Sequence, residues 1–252
     1  MNRRLLALLL VLFSVITFGL LRSYHPNIAA KILPNLRSTN GAERIAEVTR
    51  RVKPRLQKEF QQKGLKLGAP LYLRAFKKEM QMELWVENSE TNKFELFRTY
   101  KIAAASGDLG PKLAEGDGQT PEGFYSLREP NLHPGSLYHL AINIGFPNKF
   151  DRANGRTGSF IMIHGSSASI GCFAMTDPKI EEIYLSLVAA FEKGQSAIPF
   201  HSFPYRMSEK ISNDTPHAAF WGQLKPAYDI FEKTRQVPNV QVSGKRYKVS
   251  SN

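Results

Sequence analysis

Phe160-Ile-Met-Ile-His164-Gly165-Ser-Ser-Ala-Ser169-Ile-Gly171-Cys172-Phe-Ala-Met-Thr-Asp177 joins an apolar, strand-like run to a turn rich in glycine and serine. A histidine closes the strand, and the chain's single cysteine stands eight positions later at the end of the turn. A lone thiol with an imidazole close enough to take its proton is the minimum set for nucleophilic acyl transfer, because the imidazole raises the thiolate fraction by holding the ion pair. Small residues over 165–171 let backbone N–H groups point at one place, as an oxyanion hole requires, with Gly171 and Cys172 as the expected donors. Asp177 then reads as an N-cap with Pro178 in the first helical position. Ile180, Ile183, Leu187, Val188 and Phe191 form the apolar stripe of that helix, and Gly194 ends it.

Upstream, the pattern is that of strands. Leu71-Tyr-Leu-Arg-Ala-Phe76 and Met80-Gln-Met-Glu-Leu-Trp-Val86 alternate around Lys77-Lys-Glu79, the signature of a hairpin, and a third strand is expected over 94–104. Residues 106–123 carry five glycines but no Lys-Ser or Lys-Thr, so they read as a turn feeding the strand Phe124-Tyr-Ser-Leu127 rather than a phosphate loop. A further strand is expected over 137–144, followed by a polar loop over 145–158. Consecutive short strands without intervening helices argue for a mostly antiparallel sheet or sandwich. Ile45, Val48, Val52, Leu56 and Phe60 mark an earlier helix, capped at Asn40, stopped at Gly64 and bent at Pro54, with a basic outer face that reads as solvated. After the strand 198–203, a helix beginning at Thr215-Pro216 uses Phe220, Trp221, Leu224, Tyr228 and Phe231, and 240–249 forms a closing hairpin.

The 252 residues are 42% hydrophobic, enough for a real core, and carry a formal charge of +12, which favours anionic neighbours. Asn2-Arg3-Arg4 precedes an uncharged apolar run, Leu5 to Leu21, that reads as a secretory signal or an uncleaved anchor in the inner membrane. The globular part is therefore expected outside the cytoplasm. One cysteine excludes an internal disulfide scaffold. His164, Cys172 and His139 or His201 are a rival metal set, but the short-spaced Cys or His pairs of a structural zinc site are missing, so no metal or other cofactor is expected. No basic-aromatic nucleic-acid motif appears, so nucleic acid is not an expected partner.

Ile163-His164-Gly165-Ser166 followed by Ser169-Ile-Gly171-Cys172-Phe-Ala-Met175 resembles the catalytic signature of the L,D-transpeptidase (YkuD-type) family of cell-wall enzymes. Thr120-Pro-Glu-Gly-Phe-Tyr125 resembles that family's Thr-Pro-x-Gly-x-Phe/Tyr turn, and the whole is most similar to its YafK-like branch. The resemblance implies an α+β, mainly β fold: a β-sandwich-like catalytic domain over 68–207 with flanking helices. Residues 1–22 would be the signal or anchor, 23–67 a tether and helix, and 208–252 a helical extension. It further implies a periplasmic location and peptidoglycan stem peptides as partner, with an envelope protein linked to peptidoglycan as a second. Cys172 is then the nucleophile and His164 the base, oriented by a backbone carbonyl, with Gly171 and Ser169 completing the catalytic signature. His139, Asn143, Arg152, Arg156 and Gly165 are candidate substrate contacts. The sequence departs from the family pattern in its short His164–Cys172 spacing, in Ile170 where many members have histidine, and in Ala174 where arginine or asparagine is frequent.

Overall fold

Leu71, Leu73 and Ala75 alternate with Tyr72, Arg74 and Phe76, and both sets are buried. They form β1 (Leu71–Phe76) at the centre of a five-stranded sheet in a computed structural model that describes residues 41–251 apart from Asn213 and Thr215. The expected leader, tether, Asn40 cap and Thr215 helix start lie outside the described residues. β1 pairs antiparallel with β2 (Gln81–Asn88), which pairs with β3 (Lys93–Lys101), as the hairpin pattern predicts. On its other side β1 runs parallel to β9 (Ile198–Phe203), and β4 (Gly123–Leu127) closes that edge antiparallel to β9. β3 stops at Lys101 rather than at 104; beyond it Ala104 makes only an isolated bridge to Ala174.

A second sheet runs β5 (Leu132–His133), β6 (Ala141–Asn143), β7 (Met162–His164), β8 (Phe173–Ala174), with β7 and β8 parallel. The strand expected over 137–144 shrinks to β6. Arg44 draws the preceding loop away from the sheet by donating to the carbonyls of Pro134 (2.8 Å), Ser136 (2.7 Å) and His139. The polar stretch 145–158 contains a short helix, α2 (Lys149–Ala153), started by a capping box in which the Asn148 side chain accepts from the Asp151 N–H and Asp151 accepts from the Asn148 N–H.

The two sheets share one core. Leu73, Leu84, Ile142, Ile163 and Phe173 meet Val52, Leu56 and Phe60 of α1 (Gly41–Gln62) and Ile180, Ile183 and Leu187 of α3 (Asp177–Glu192). Each such side chain contributes about 1.5–3 kcal/mol by leaving water. α1 remains helical through Pro54. Part of its basic face is matched by α3: Arg51 meets Glu181 at 2.6 Å and Arg55 meets Glu182 at 2.7 Å.

The far face of the first sheet is covered by α4 (Ala218–Thr234) and the hairpin β10 (Asn239–Ser243)–β11 (Arg246–Ser250). Phe231 packs on Tyr72 and Trp85, while Trp221, Leu224 and Tyr228 pack with Phe76 and Phe203. Arg74 is buried in this layer, held by Glu83 and Glu232 at 2.7 Å each, with its guanidinium 4.5 Å from the Phe231 ring centre. The chain is thus α+β and mainly sheet. Among the described residues no helix is long and apolar enough to cross a membrane.

Candidate active site

Parallel pairing of β7 with β8 sets His164 opposite Ala174 and Ile163 opposite Phe173. Cys172 immediately precedes β8, so this pairing brings its thiol beside the start of β7, the strand that His164 closes. The Met162 N–H points at the Cys172 Sγ (3.4 Å), and the thiol in turn donates to the Phe160 carbonyl (3.7 Å). The resting thiol therefore bonds to backbone rather than forming the ion pair expected with His164. Burial pushes its pKa up, against the smaller opposing pull of the Met162 N–H and the charge of Lys112.

His164 is buried, and its Nδ1 lies 2.5 Å from the Gly165 carbonyl. That carbonyl can only accept, so Nδ1 carries the proton and Nε2 keeps its lone pair. Burial lowers the histidine's pKa, offset in part by the same carbonyl, so the ring is neutral at neutral pH. The Tyr138 ring lies 4.9 Å from the imidazole, centre to centre.

The backbone around the thiol is pinned by hydroxyls. Ser169 Oγ donates to the Cys172 carbonyl at 2.7 Å, and Thr120 Oγ1 reaches the same oxygen at 3.4 Å. Ser106 Oγ accepts the Gly171 N–H at 2.6 Å and donates to the Gly118 carbonyl at 2.6 Å. The Gly171 N–H, expected to help form an oxyanion hole, is therefore already engaged. Gly171 sits at φ 102°, where a side chain would strain the turn. Phe160, Ser166, Thr176 and His139 also take positive φ, a concentration of costly backbone around one site.

Asp177 does not cap α3. Thr176 takes the cap position, and the Asp177 carboxylate instead accepts the Ser166 N–H at 2.8 Å, clamping the turn to the helix start. A Cβ on Gly165 would come within 2.5 Å of that carboxylate and 2.7 Å of the Tyr138 carbonyl, which explains the glycine after the histidine. Ala174 is fully buried and exchanges backbone bonds with Ala104, while Ile170 is 87% and Phe160 72% exposed.

Gly165 stands beside His164, and the four side chains expected to contact substrate each have a partner within the protein. His139 Nε2 lies 2.8 Å from Glu181. Asn143 accepts the Gly145 N–H through its side chain. Arg156 is buried against Asp151 at 2.8 Å and stacks on Phe150 and Phe220. Arg152 donates to the Pro147 carbonyl and faces a separate groove. His201 bonds Tyr72 at 2.7 Å in the interior. Among the described residues, no three His, Cys, Asp or Glu side chains group as metal ligands. Sequence reasoning missed Ser106 and Thr120 as neighbours of the thiol. Thr120 lies in the quoted Thr-Pro-Glu-Gly turn, but nothing local to Ser106 signals a partner 65 residues away.

Comparison with known proteins gives a match of residues 70–190 to the family model described as YkuD, L,D-transpeptidase catalytic domain. The Escherichia coli (strain K12) protein named "Putative L,D-transpeptidase YafK" is 44% identical over 201 residues, covering 77% of this chain and 79% of that protein. Among solved structures, a variant of the helical cell shape determining protein Pgp2 from Campylobacter jejuni is 24% identical with a TM-score of 0.43, covering 70% of this chain and 63% of that one. Bdellovibrio bacteriovorus Bd1075 is 22% identical with a TM-score of 0.37, covering 66% of this chain and 58% of that one.

Proposed function

The chain belongs to the L,D-transpeptidase catalytic-domain (YkuD) family, and from that premise we propose that it is a cysteine acyltransferase acting on peptidoglycan stem peptides in the periplasm. The observation that carries the reading is the fixed tautomer of His164, whose Nε2 is left to accept a proton at the end of the strand whose start holds the Cys172 thiol. The Cys172 sulfur attacks the carbonyl at the L-centre of meso-diaminopimelate as His164 takes the thiol proton. The tetrahedral intermediate collapses, the amide C–N bond breaks, and His164 returns the proton to the departing amine. The Cys172 N–H is the amide left to stabilise the oxyanion, since Ser106 holds its neighbour. Resolution by an amine makes a cross-link or attaches a protein.

A second reading, resolution by water, draws support from the exposure of Ile170 and Phe160 beside a short turn, which gives solvent access to the acyl-enzyme. The chain would then be an L,D-carboxypeptidase or an amidase that releases proteins linked through diaminopimelate. A chain with this fold and no turnover, serving as a peptidoglycan-binding envelope protein, is the limiting case. Incubation with defined muropeptides and with protein-linked peptidoglycan, read by mass spectrometry, separates the three. New peptide bonds support the transferase, shortened or released species alone support the hydrolase, and unchanged substrate contradicts both.

A further inference from the structure

Away from Cys172, a groove of about 580 Å³ opens along the free edge of β4. Arg128, Lys149 and Arg152 line it and no carboxylate does. None of these three cations forms an ion pair with a described residue, and Arg152 donates only to the Pro147 carbonyl.

The edge itself is selectively blocked. Phe124 turns its N–H and C=O outward, where the Tyr247 hydroxyl accepts the first at 3.4 Å and the Asn148 amide donates to the second at 2.7 Å. Outward-turned residues alternate along an antiparallel strand, so Ser126 turns both of its groups the same way. Its ladder partner, Pro199, has no N–H to offer it in any case. Two residues on, the Arg128 N–H is taken by the Asn131 side chain at 2.7 Å. Exposed Ser126 thus keeps one donor and one acceptor facing the groove between two occupied positions.

We propose that this groove binds an extended acidic segment of a partner protein, which adds one residue to the β4 edge through the Ser126 N–H and C=O. Its carboxylates meet Arg128, Lys149 and Arg152, and a side chain between them rests on Val240 and Val242 of the hairpin. Backbone pairing at a strand edge selects an extended chain of ordinary L-residues, and a cationic rim selects its charge. The γ-linked and D-residues of a stem peptide do not present that backbone spacing, so the partner is a protein and the site is distinct from the one at Cys172.

Calorimetric titration of the full-length chain carrying Cys172→Ala tests this independently of acyl transfer. The probe is acetyl-Val-Glu-Val-Glu-Val-amide, compared with its Gln-for-Glu form and with a form N-methylated at the central valine. Saturable binding is expected, weaker by at least about tenfold for the Gln peptide and for the combined Arg128→Glu, Lys149→Glu, Arg152→Glu chain. Ser126→Pro, at an edge position where proline is tolerated, and the N-methyl peptide should each weaken binding by about fivefold or more. An unchanged melting transition identifies folded variants, and the N-methyl peptide tests the same edge with no substitution in the protein. Absence of binding would overturn the proposal. So would binding lost on charge reversal yet unaffected by Ser126→Pro and by N-methylation, the mark of a general polyanion site.

Discussion

At Cys172 and His164 both partners rest neutral. Burial raises the thiol's pKa and lowers the imidazole's, so the thiol keeps its proton at neutral pH and the ring stays ready to accept one. Alkylation of the free chain by iodoacetamide should accordingly be slow at pH 7 and climb only above the ordinary cysteine pKa of about 8.5. A rate already at plateau by pH 7 would contradict the neutral resting pair. Turnover should behave differently, because it needs only the neutral imidazole: its acid limb should fall below the ordinary histidine value of about 6.5. Ser106→Ala removes the acceptor of the Gly171 N–H without touching the thiol. A drop in kcat/KM of about tenfold is expected, with little change in melting temperature, as for loss of one positioning hydrogen bond; full activity would show that the turn holds its shape unaided.

Among the elements, the Thr120-to-Gly123 turn matters most beyond β7 and the turn that follows it. Glu122, fully buried, accepts from the Trp221 indole N–H at 2.7 Å and from the Gly110 N–H at 2.7 Å, and lies 3.2 Å from the Lys77 ammonium. One carboxylate thus ties the motif to the β1–β2 turn and to α4. Glu122→Ala leaves the buried Lys77 with carbonyl partners but no counter-charge, and the Trp221 indole N–H without its acceptor, and should cost about 3–5 kcal/mol in urea unfolding, with Glu122→Gln milder. A loss below about 1 kcal/mol would mean that the three groups find other partners. The regular elements were legible because apolar period and turn residues agreed in them, from the β1–β2 hairpin to the closing hairpin. α2 was less legible: Asn148 and Asp151 stand in capping-box spacing, but a helix of five residues is too short to show an apolar period. The shortening of β6 was not readable, since it depends on Arg44 reaching a loop some 90 residues distant.

On the scale of the whole molecule, β1 is buried on both of its faces. Its alternation suggests one wet face, yet α4 covers Tyr72 and Arg74, and beside them on β9 lies His201. Burial, with the nearby Arg74 charge, holds the His201 pKa at about 3. The native state keeps this ring neutral while the unfolded chain protonates it below about pH 6.5, so its contribution to stability is intact above that value and is lost as pH falls towards 3. Each pH unit in that window should remove about 1.4 kcal/mol from this group, and His201→Gln should show a correspondingly flatter decline in denaturation midpoint between pH 6.5 and 4.5. Parallel declines in the two chains would place the acid sensitivity elsewhere. That Cys172 and His164 belong to one site was legible because a strand closed by histidine, a glycine- and serine-rich turn and the single cysteine follow one another within a few residues. The surroundings of the arginines expected to contact substrate were not, since the fold pairs Arg156 with Asp151 and turns Arg152 to another groove.

The central claim is that Cys172 carries the acyl group. Intact-mass spectrometry of the chain quenched in acid during reaction with a tetrapeptide muropeptide tests it directly. The account predicts a covalent adduct mapped to Cys172, absent from Cys172→Ala and strongly reduced in His164→Ala. Turnover by Cys172→Ala, or an adduct mapped to any other residue, would contradict it.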